Sequence, residues 1–232
     1  MIIIPHVRIC PGRLIMKIIF TSVFVLLHVM IFAQKLEPLK VRLPYPMFVG
    51  TPQDFDVPNL ESPLGSSRPA FLAPAGTKNL ALDKFIESTD NEPIVGEIDL
   101  INDGDNEAYD GSFVELGPGK QYITIDLEAT CEIYAILIWH FHKKARVYKD
   151  VIVQISDDPD FVIGVETLFN NDNDNSSGLG VGKDLHYVET HEGKLVDCRG
   201  VHGQYVRLYS NGNTSNDFNH YIEVEVHGIP LK

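Results

Sequence analysis

The chain has 232 residues, with 32 acidic and 19 basic side chains and a formal net charge of −13. This acidity argues against nucleic acid or an anionic membrane surface as the partner, because both need a concentrated basic face. The 44% share of hydrophobic residues is enough for a buried core, whereas three cysteines are too few for a disulfide-dense scaffold. The composition therefore indicates an acidic globular protein.

An apolar run occupies Ile18–Ala33, is preceded by Lys17 and ends on a small residue. It is shorter than the roughly 20 residues of a membrane span. Its charged, apolar and small-residue parts are those of a secretory signal peptide, so we predict one over residues 1–33, with Met16 as an alternative start. An uncleaved anchor is the other interpretation. Export predicts a secreted, periplasmic or cell-surface protein with no membrane span in the mature chain.

Residues 34–77 are aperiodic and rich in proline, which removes backbone donors and disfavours helices and central strands. The same segment carries more apolar side chains than a solvated linker needs, among them Leu43, Phe48 and Phe71. We interpret it as an extended arm that packs along a folded domain or against a partner. A flexible linker is the alternative.

Residues 78–230 have the pattern of short strands joined by polar loops. Apolar and polar residues alternate at Ile123–Leu127, Val151–Ile155, Val206–Leu208 and Ile222–Val226. This period of two is typical of strands with one buried face, and the nearly unbroken apolar run Ile133–Phe141 is typical of a strand buried on both faces. The pattern predicts an all-β sandwich or barrel.

Six motifs in this domain resemble, in the same order, those of discoidin domains (coagulation factor 5/8 type C). They are Asn79–Lys84, Asp103-Gly104-Asp105, Tyr122–Leu127, Val153–Asp158, Tyr205–Tyr209 and Glu223–Gly228. The resemblance implies an eight-stranded antiparallel jelly-roll β-sandwich, also called galactose-binding-like. Members of that family are mostly noncatalytic binders of glycans, phospholipids or proteins.

The resemblance also implies a structural Ca²⁺ site, with Asp103, Asp105 and Glu223 at the matching positions. Hard cations take six to eight oxygen ligands, and a glycine between two aspartates lets the loop fold around the ion. The alternative is that Asp-Gly in this polar loop is simply a turn.

The resemblance also implies a glycan site whose contacting residues lie in or beside the loops at one end of the sandwich. The predicted contacts are His140, His142, Arg146, Asn211, Asn213 and Phe218. Arginine and histidine donate to hydroxyls, asparagine donates and accepts, and a phenylalanine ring stacks on a sugar face. The Arg…Asn-Gly spacing of the galactose binders is missing, so galactose itself is not predicted. Two other interpretations stay open: the two histidines ligate a metal, or they merely end a core strand.

Two further features remain open in the sequence. The loop Asn170–Gly180 has Asp172 and Asp174 at alternate positions, but it lacks the glycine and glutamate of an EF-hand, so we expect an ordered, ligand-facing loop and predict no metal there. Cys131 and Cys198 are a possible disulfide in an oxidising compartment, although sequence alone does not bring them within bonding reach.

The leading functional prediction is a secreted, noncatalytic carbohydrate-binding module with a glycan or polysaccharide as its partner. The alternative from another class is a protein–protein or assembly module of an exported complex, which docks through the proline-rich arm. A small hydrolase is a third hypothesis, but the chain has no G-x-S-x-G elbow, no H-E-x-x-H and no phosphate loop. We therefore predict no enzymatic activity.

Overall fold

The computed structural model describes residues 34–48 and 55–231, so the predicted signal peptide lies outside the described residues. The larger compact unit of the chain begins at Leu36. Within the described ranges no helix is long and apolar enough to span a membrane. One short 3₁₀ helix, Ile98–Ile101, accompanies the strands, and the predicted all-β class is confirmed.

The described residues form eleven strands, most of them in one antiparallel sheet. In chain order they are β1 Leu36–Pro38, β2 Leu72–Pro74, β3 Lys78–Asn79, β4 Ile86–Ser88, β5 Val114–Leu116, β6 Gln121–Trp139, β7 Ile152–Ser156, β8 Glu166–Asn170, β9 Lys194–Ser210, β10 Asn219–Tyr221 and β11 Glu223–Pro230. The large sheet has the order β3-β11-β6-β9-β7-β8, and β4 pairs with the first half of β6. Two smaller pairs, β1 with β2 and β5 with β10, complete the fold.

The two longest strands, β6 and β9, are each interrupted by an irregularity that bends them. Their pairing breaks after Asp126 in β6 and again between Asp197 and Val201 in β9. Glu128 and Arg199 take positive φ values of 67° and 55° at these points. Extra residues in one strand bend it and increase its twist. Because β6 and β9 bend, side chains from both halves of each strand contribute to the core.

The main core consists of apolar side chains from both halves of these strands. Its members include Ile123, Ile125, Ile136, Ile138, Val153, Val206, Leu208, Val224 and Val226, each with no exposed surface. Ile136 and Ile138 belong to the unbroken apolar run, and the others are apolar members of the alternating runs, so both kinds of predicted strand are confirmed. Each such side chain stabilises the fold by about 1.5–3 kcal/mol when it is buried.

A second apolar cluster lies on the opposite face of β6 and includes part of the proline-rich arm. Leu137 and Trp139 have no exposed surface, and Phe141 is 8% exposed. Leu39 and Val41 of the arm pack against this cluster. The end of β6 is therefore apolar at successive positions because both of its faces are covered.

The arm is also hydrogen-bonded to the strand domain at widely separated points. Asn106 Nδ2 donates to the carbonyl oxygen of Arg42 at 2.7 Å, and Arg68 Nη1 donates to that of Gly193 at 2.8 Å. The described part of the arm is therefore packed rather than a free linker. The boundaries drawn at residues 34 and 78 stay predictions.

The structure does not form the disulfide that the sequence left open. Cys131 and Cys198 are both buried free thiols. The register between β6 and β9 places Cys131 opposite Gly203, while Cys198 lies in the irregular part of β9. The two cysteines thus contribute to the core as small apolar residues.

Candidate functional site

Two loops meet at one rim of the sheet and position Arg146 there. The loop after β6 contains Val147, whose backbone N donates to Thr214 Oγ1 at 3.1 Å in the loop after β9. In return, the backbone N of Thr214 donates to the carbonyl oxygen of Val147 at 3.0 Å. A β-bridge between Tyr148 and Asn213 continues this pairing. These contacts fix the backbone next to Arg146 on both sides of the rim.

Arg146 is the polar centre of this rim and lies on aromatic rings. Its guanidinium carbon is 4.7 Å from the centroid of Phe141, whose ring is in edge contact with Phe113 at 4.9 Å. Arg146 Nη1 is 3.5 Å from His220 Nε2, and Arg146 Nε has no hydrogen-bond partner. We call Arg146, Phe113, Phe141 and His220 the rim site. It combines the N–H donors of a half-buried guanidinium with apolar ring surface.

His220 is the uncharged polar member of the rim site. Its Nε2 lies 2.8 Å from Glu115 Oε2, and because a carboxylate only accepts, Nε2 carries the hydrogen and donates it. Burial, followed by the effects of Arg146 and His140, lowers the pKa of His220 to about 3. At neutral pH the positive charge of the rim site therefore belongs to Arg146 alone.

The structure corrects two of the predicted glycan contacts, because His140 and His142 are completely buried. His140 Nδ1 is 3.1 Å from Glu189 Oε2, and its ring stacks on Tyr148 with centroids 4.2 Å apart. His142 Nε2 donates to the carbonyl oxygen of Asn106 at 2.9 Å. Neither ring is accessible to a surface ligand. Among the described residues, neither histidine belongs to a group of clustered metal-ligating atoms.

The loop after β9 keeps Phe218 partly exposed but folds Asn213 inward. Asn213 is 3% exposed, and its Nδ2 donates to the carbonyl oxygen of Phe218 at 2.9 Å, so it closes a turn. Asn211 is half-buried and donates to Asp150 Oδ2 at 2.8 Å. Of the predicted contacts, Arg146 and Phe218 are therefore the ones with surface and bonding capacity for a ligand, and Asn213 is a turn residue.

The predicted cation ligand Glu223 lies in a pocket that disfavours its negative charge. Its side chain is completely buried, Oε2 accepts from the backbone N of Gly104 at 3.1 Å, and Oε1 has no partner. Burial raises the pKa of Glu223 to about 9, and Glu225, Asp103 and Asp105 raise it further against the Gly104 hydrogen bond. A divalent cation would supply the missing partner of Oε1, and Asp103 and Asp105 are close enough to raise the pKa of Glu223. The three side chains do not, however, form a group of described residues whose carboxylate oxygens all lie within 4.8 Å of one another, and Asp103 and Asp105 are exposed.

A second group of carboxylates lies where the loop after β8 meets the start of β7. Oxygens of Asp150, Asp172 and Asp174 all lie within 4.8 Å of one another. Hydrogen bonds already satisfy them: Asp172 accepts from the backbone N of Ser176 at 3.0 Å and of Ser177 at 2.9 Å, and Asp150 accepts from Ser176 Oγ at 2.8 Å. The pKa of Asp172 is lowered, because these donors outweigh its burial. The cluster is thus a loop-stabilising arrangement of the kind expected for an ordered loop.

The sequence analysis did not single out two residues at or next to the rim site, Phe113 and Glu189. Phe113 lies just before β5, next to the equally apolar Val114, so no alternation of apolar and polar residues marks it as a surface ring. Glu189 pairs with His140 from a position 49 residues away. No local sequence pattern predicts such a contact, because it depends on how distant segments pack.

The chain matches no protein-family model and no curated protein. Among solved structures it is similar to the CBM32 of AlyQ in complex with 4,5-unsaturated mannuronic acid, with 14% identity and a TM-score of 0.45 over 62% of this chain and 95% of that one. A fucose-binding module of Streptococcus pneumoniae gives 18% identity and a TM-score of 0.45 over 64% of this chain and 96% of that one. A family 89 glycoside hydrolase of Clostridium perfringens gives 17% and 0.49, over 66% of this chain, which spans 15% of the hydrolase.

Proposed function

We propose that this protein is a noncatalytic carbohydrate-binding module. The proposal rests on the ordered discoidin-like motifs of the sequence and on one structural observation, the half-buried Arg146 of the rim site. A half-buried guanidinium held over Phe141 carries N–H donors of the kind that bind sugar hydroxyls or ring oxygens. Phe218, partly exposed on the neighbouring loop, offers a ring face for stacking.

Binding at the rim site would be modest for a single sugar. Two side chains supply the polar and stacking contacts, and each contact of this kind contributes about 1–2 kcal/mol. Association also costs several kcal/mol in lost freedom of motion, which a small contact area offsets only in part. These magnitudes imply a dissociation constant for a short glycan of about millimolar or weaker.

In this proposal Ca²⁺ has a structural role and is bound by Asp103, Asp105 and Glu223. The ion would neutralise a buried carboxylate whose Oε1 otherwise has no partner. It would also join the start of β11 to the loop after Ile98–Ile101, since Gly104 in that loop already donates to Glu223. A predicted signal peptide over residues 1–33 supports export, which places the protein in a calcium-containing environment outside the cytoplasm.

A second candidate function is assembly with a secreted partner protein through the arm. It is favoured by two arm residues, Leu64 and Leu72, that are 70% and 54% exposed. Other arm residues, Leu39 and Val41, are used within the chain to cover Trp139. This is tested by purifying the wild type and a Leu64→Asp, Leu72→Asp variant from the native source and comparing the partner proteins that co-purify. A partner that co-purifies equally with both proteins excludes docking through these side chains.

A glycan array on the purified protein, in Ca²⁺ and in excess chelator, tests the carbohydrate-binding proposal. On a glycan that the wild type retains, affinity gel electrophoresis of Arg146→Ala and Phe218→Ala should show about tenfold weaker binding, since each loses roughly 1–2 kcal/mol. Arg199→Ala and Phe85→Ala are matched controls, because Arg199 has a side chain 86% exposed and Phe85 is 72% exposed, both away from the rim. Retention of no glycan refutes the proposal, and normal retention by both rim variants refutes the assignment of the site.

A further inference from the structure

The rim carries the densest group of basic residues in an otherwise acidic chain. Lys143, Lys144 and Arg146 fall within four successive positions, while the whole chain has a net charge of −13. No other four successive residues contain three lysines or arginines. Positive charge concentrated on one surface of an acidic protein attracts anions to that surface and repels them elsewhere.

Two of these three cations have no acidic partner within the described part of the chain. Lys143 Nζ lies 2.5 Å from Asp110 Oδ1, so its charge is paired. Lys144 is exposed, and neither Lys144 nor Arg146 lies within 4.0 Å of a described carboxylate oxygen.

The carboxylates closest to this surface are already engaged with other groups. Glu115 accepts from His220, and Glu189 is completely buried against His140. Neither carboxylate forms an ion pair with Arg146. Tyr109, next to the Asp110 that binds Lys143, is 54% exposed and presents a ring at the same edge.

We propose that the rim site binds an anionic glycan, in which carboxylate or sulfate groups pair with Lys144 and Arg146. This inference rests on the proposed carbohydrate-binding function and names its ligand class. A guanidinium donates two parallel hydrogen bonds to a carboxylate or sulfate, and an ammonium adds a point charge. Phe218 and Tyr109 would contact the apolar faces of the sugar rings, which the acidic groups leave free.

Matched pairs of short oligosaccharides test the inference by isothermal titration at one fixed Ca²⁺ concentration. The first pair is oligogalacturonate and its methyl ester, which share a backbone and differ in charge. The second pair is a carrageenan oligosaccharide and its desulfated form, which share a backbone and differ in sulfation. We expect the charged member of at least one pair to bind about tenfold more tightly than its neutral counterpart, and this ratio to fall as salt is raised.

Reversing the charge of the exposed Lys144 tests whether its charge determines the preference for charged over neutral oligosaccharides. Lys144→Glu should lower the ratio of charged to neutral affinity at least about fivefold, because it removes one cation and adds a repelling carboxylate. Lys78→Ala is the matched control, since Lys78 is exposed on β3 and lies opposite Gly228, far from the rim. It should leave the ratio unchanged.

The outcomes distinguish this inference from the proposed function. Equal affinity within both pairs, or preference for the neutral members, overturns the anionic ligand and leaves carbohydrate binding intact. An unchanged ratio in Lys144→Glu overturns the role of this surface. Binding to phosphatidylserine vesicles without binding to any anionic oligosaccharide also overturns the inference. Failure of the wild type to retain any glycan on an array removes the proposed function, and the inference with it.

Discussion

Glu223 and Asp172 are both completely buried carboxylates with acidic neighbours. Their surroundings have opposite effects on the ionised form: those of Asp172 stabilise it, and those of Glu223 destabilise it. Asp172 accepts hydrogen bonds from Ser176 and Ser177, and its pKa is lowered. Glu223 accepts one, from Gly104, and its pKa is raised to about 9. The carboxylate oxygens of Asp150, Asp172 and Asp174 all lie within 4.8 Å of one another, so proximity alone would select this group as the cation site.

We expect an unsatisfied buried acceptor to indicate a cation site better than crowded carboxylates do. A carboxylate whose lone pairs are filled by donors within the protein gains little from a cation, which would have to displace those donors. A buried carboxylate oxygen without a partner lowers the free energy of unfolding, and a bound cation removes this loss. Four predictions test this comparison.

The largest expected effect is on the stability of the hydrogen-bonded group. Asp172→Ala should lower the free energy of unfolding by about 3 kcal/mol, because the backbone N–H groups of Ser176 and Ser177 lose a buried acceptor. Urea unfolding in Ca²⁺ and in chelator should give the same loss. A loss that appears only in Ca²⁺ would identify the Asp172 group as a cation site instead.

The next effect is stabilisation by Ca²⁺ at Glu223. At a concentration of about one hundred times the dissociation constant, Ca²⁺ should raise the free energy of unfolding by about 2.7 kcal/mol. Asp103→Ala should abolish this gain, while Asp174→Ala, the matched exposed aspartate of the other group, should keep it. If the wild type melts at the same temperature in Ca²⁺ and in chelator, the cation proposal is wrong.

A third prediction concerns the pH dependence in chelator. The pKa of Glu223 in the folded state, about 9, lies above its usual value of 4.5, so the folded protein binds the extra proton between these values and its stability falls as pH rises through this window. Glu223→Gln should flatten the decline and be more stable than the wild type by at least about 1 kcal/mol at pH 8. Thermal melts across this range measure it, and a parallel decline in both proteins contradicts the assignment.

The smallest expected effect is at the exposed member of the Asp172 group. Asp174 accepts a hydrogen bond from the backbone N of Ser176, which Asp172 also accepts. Asp174→Ala should therefore change the free energy of unfolding by less than about 0.5 kcal/mol, as for most exposed substitutions. A loss as large as that of Asp172→Ala would show that the three carboxylates act as one unit.

Sequence reasoning predicted the strands because alternation of apolar and polar residues is a local property of a half-buried strand. Ile123, Val206 and Val224 are buried as that period requires. It also selected Asp103, Asp105 and Glu223 from matching motifs, and the structure brings Gly104 and Glu223 into hydrogen-bond contact. The same reasoning selected Arg146 and Phe218, which retain surface at the rim.

The tertiary structure alone decided which polar residues at the end of β6 are accessible. The unbroken apolar run already indicated a strand buried on both faces, yet His140 and His142 were assigned to a surface site. Their burial depends on segments distant in the sequence: Glu189 pairs with His140, and Asn106 accepts from His142. Alternation reports which face of a strand is apolar, but the depth at which a polar side chain lies depends on what packs over it. That is a property of long-range contacts, which local sequence does not encode.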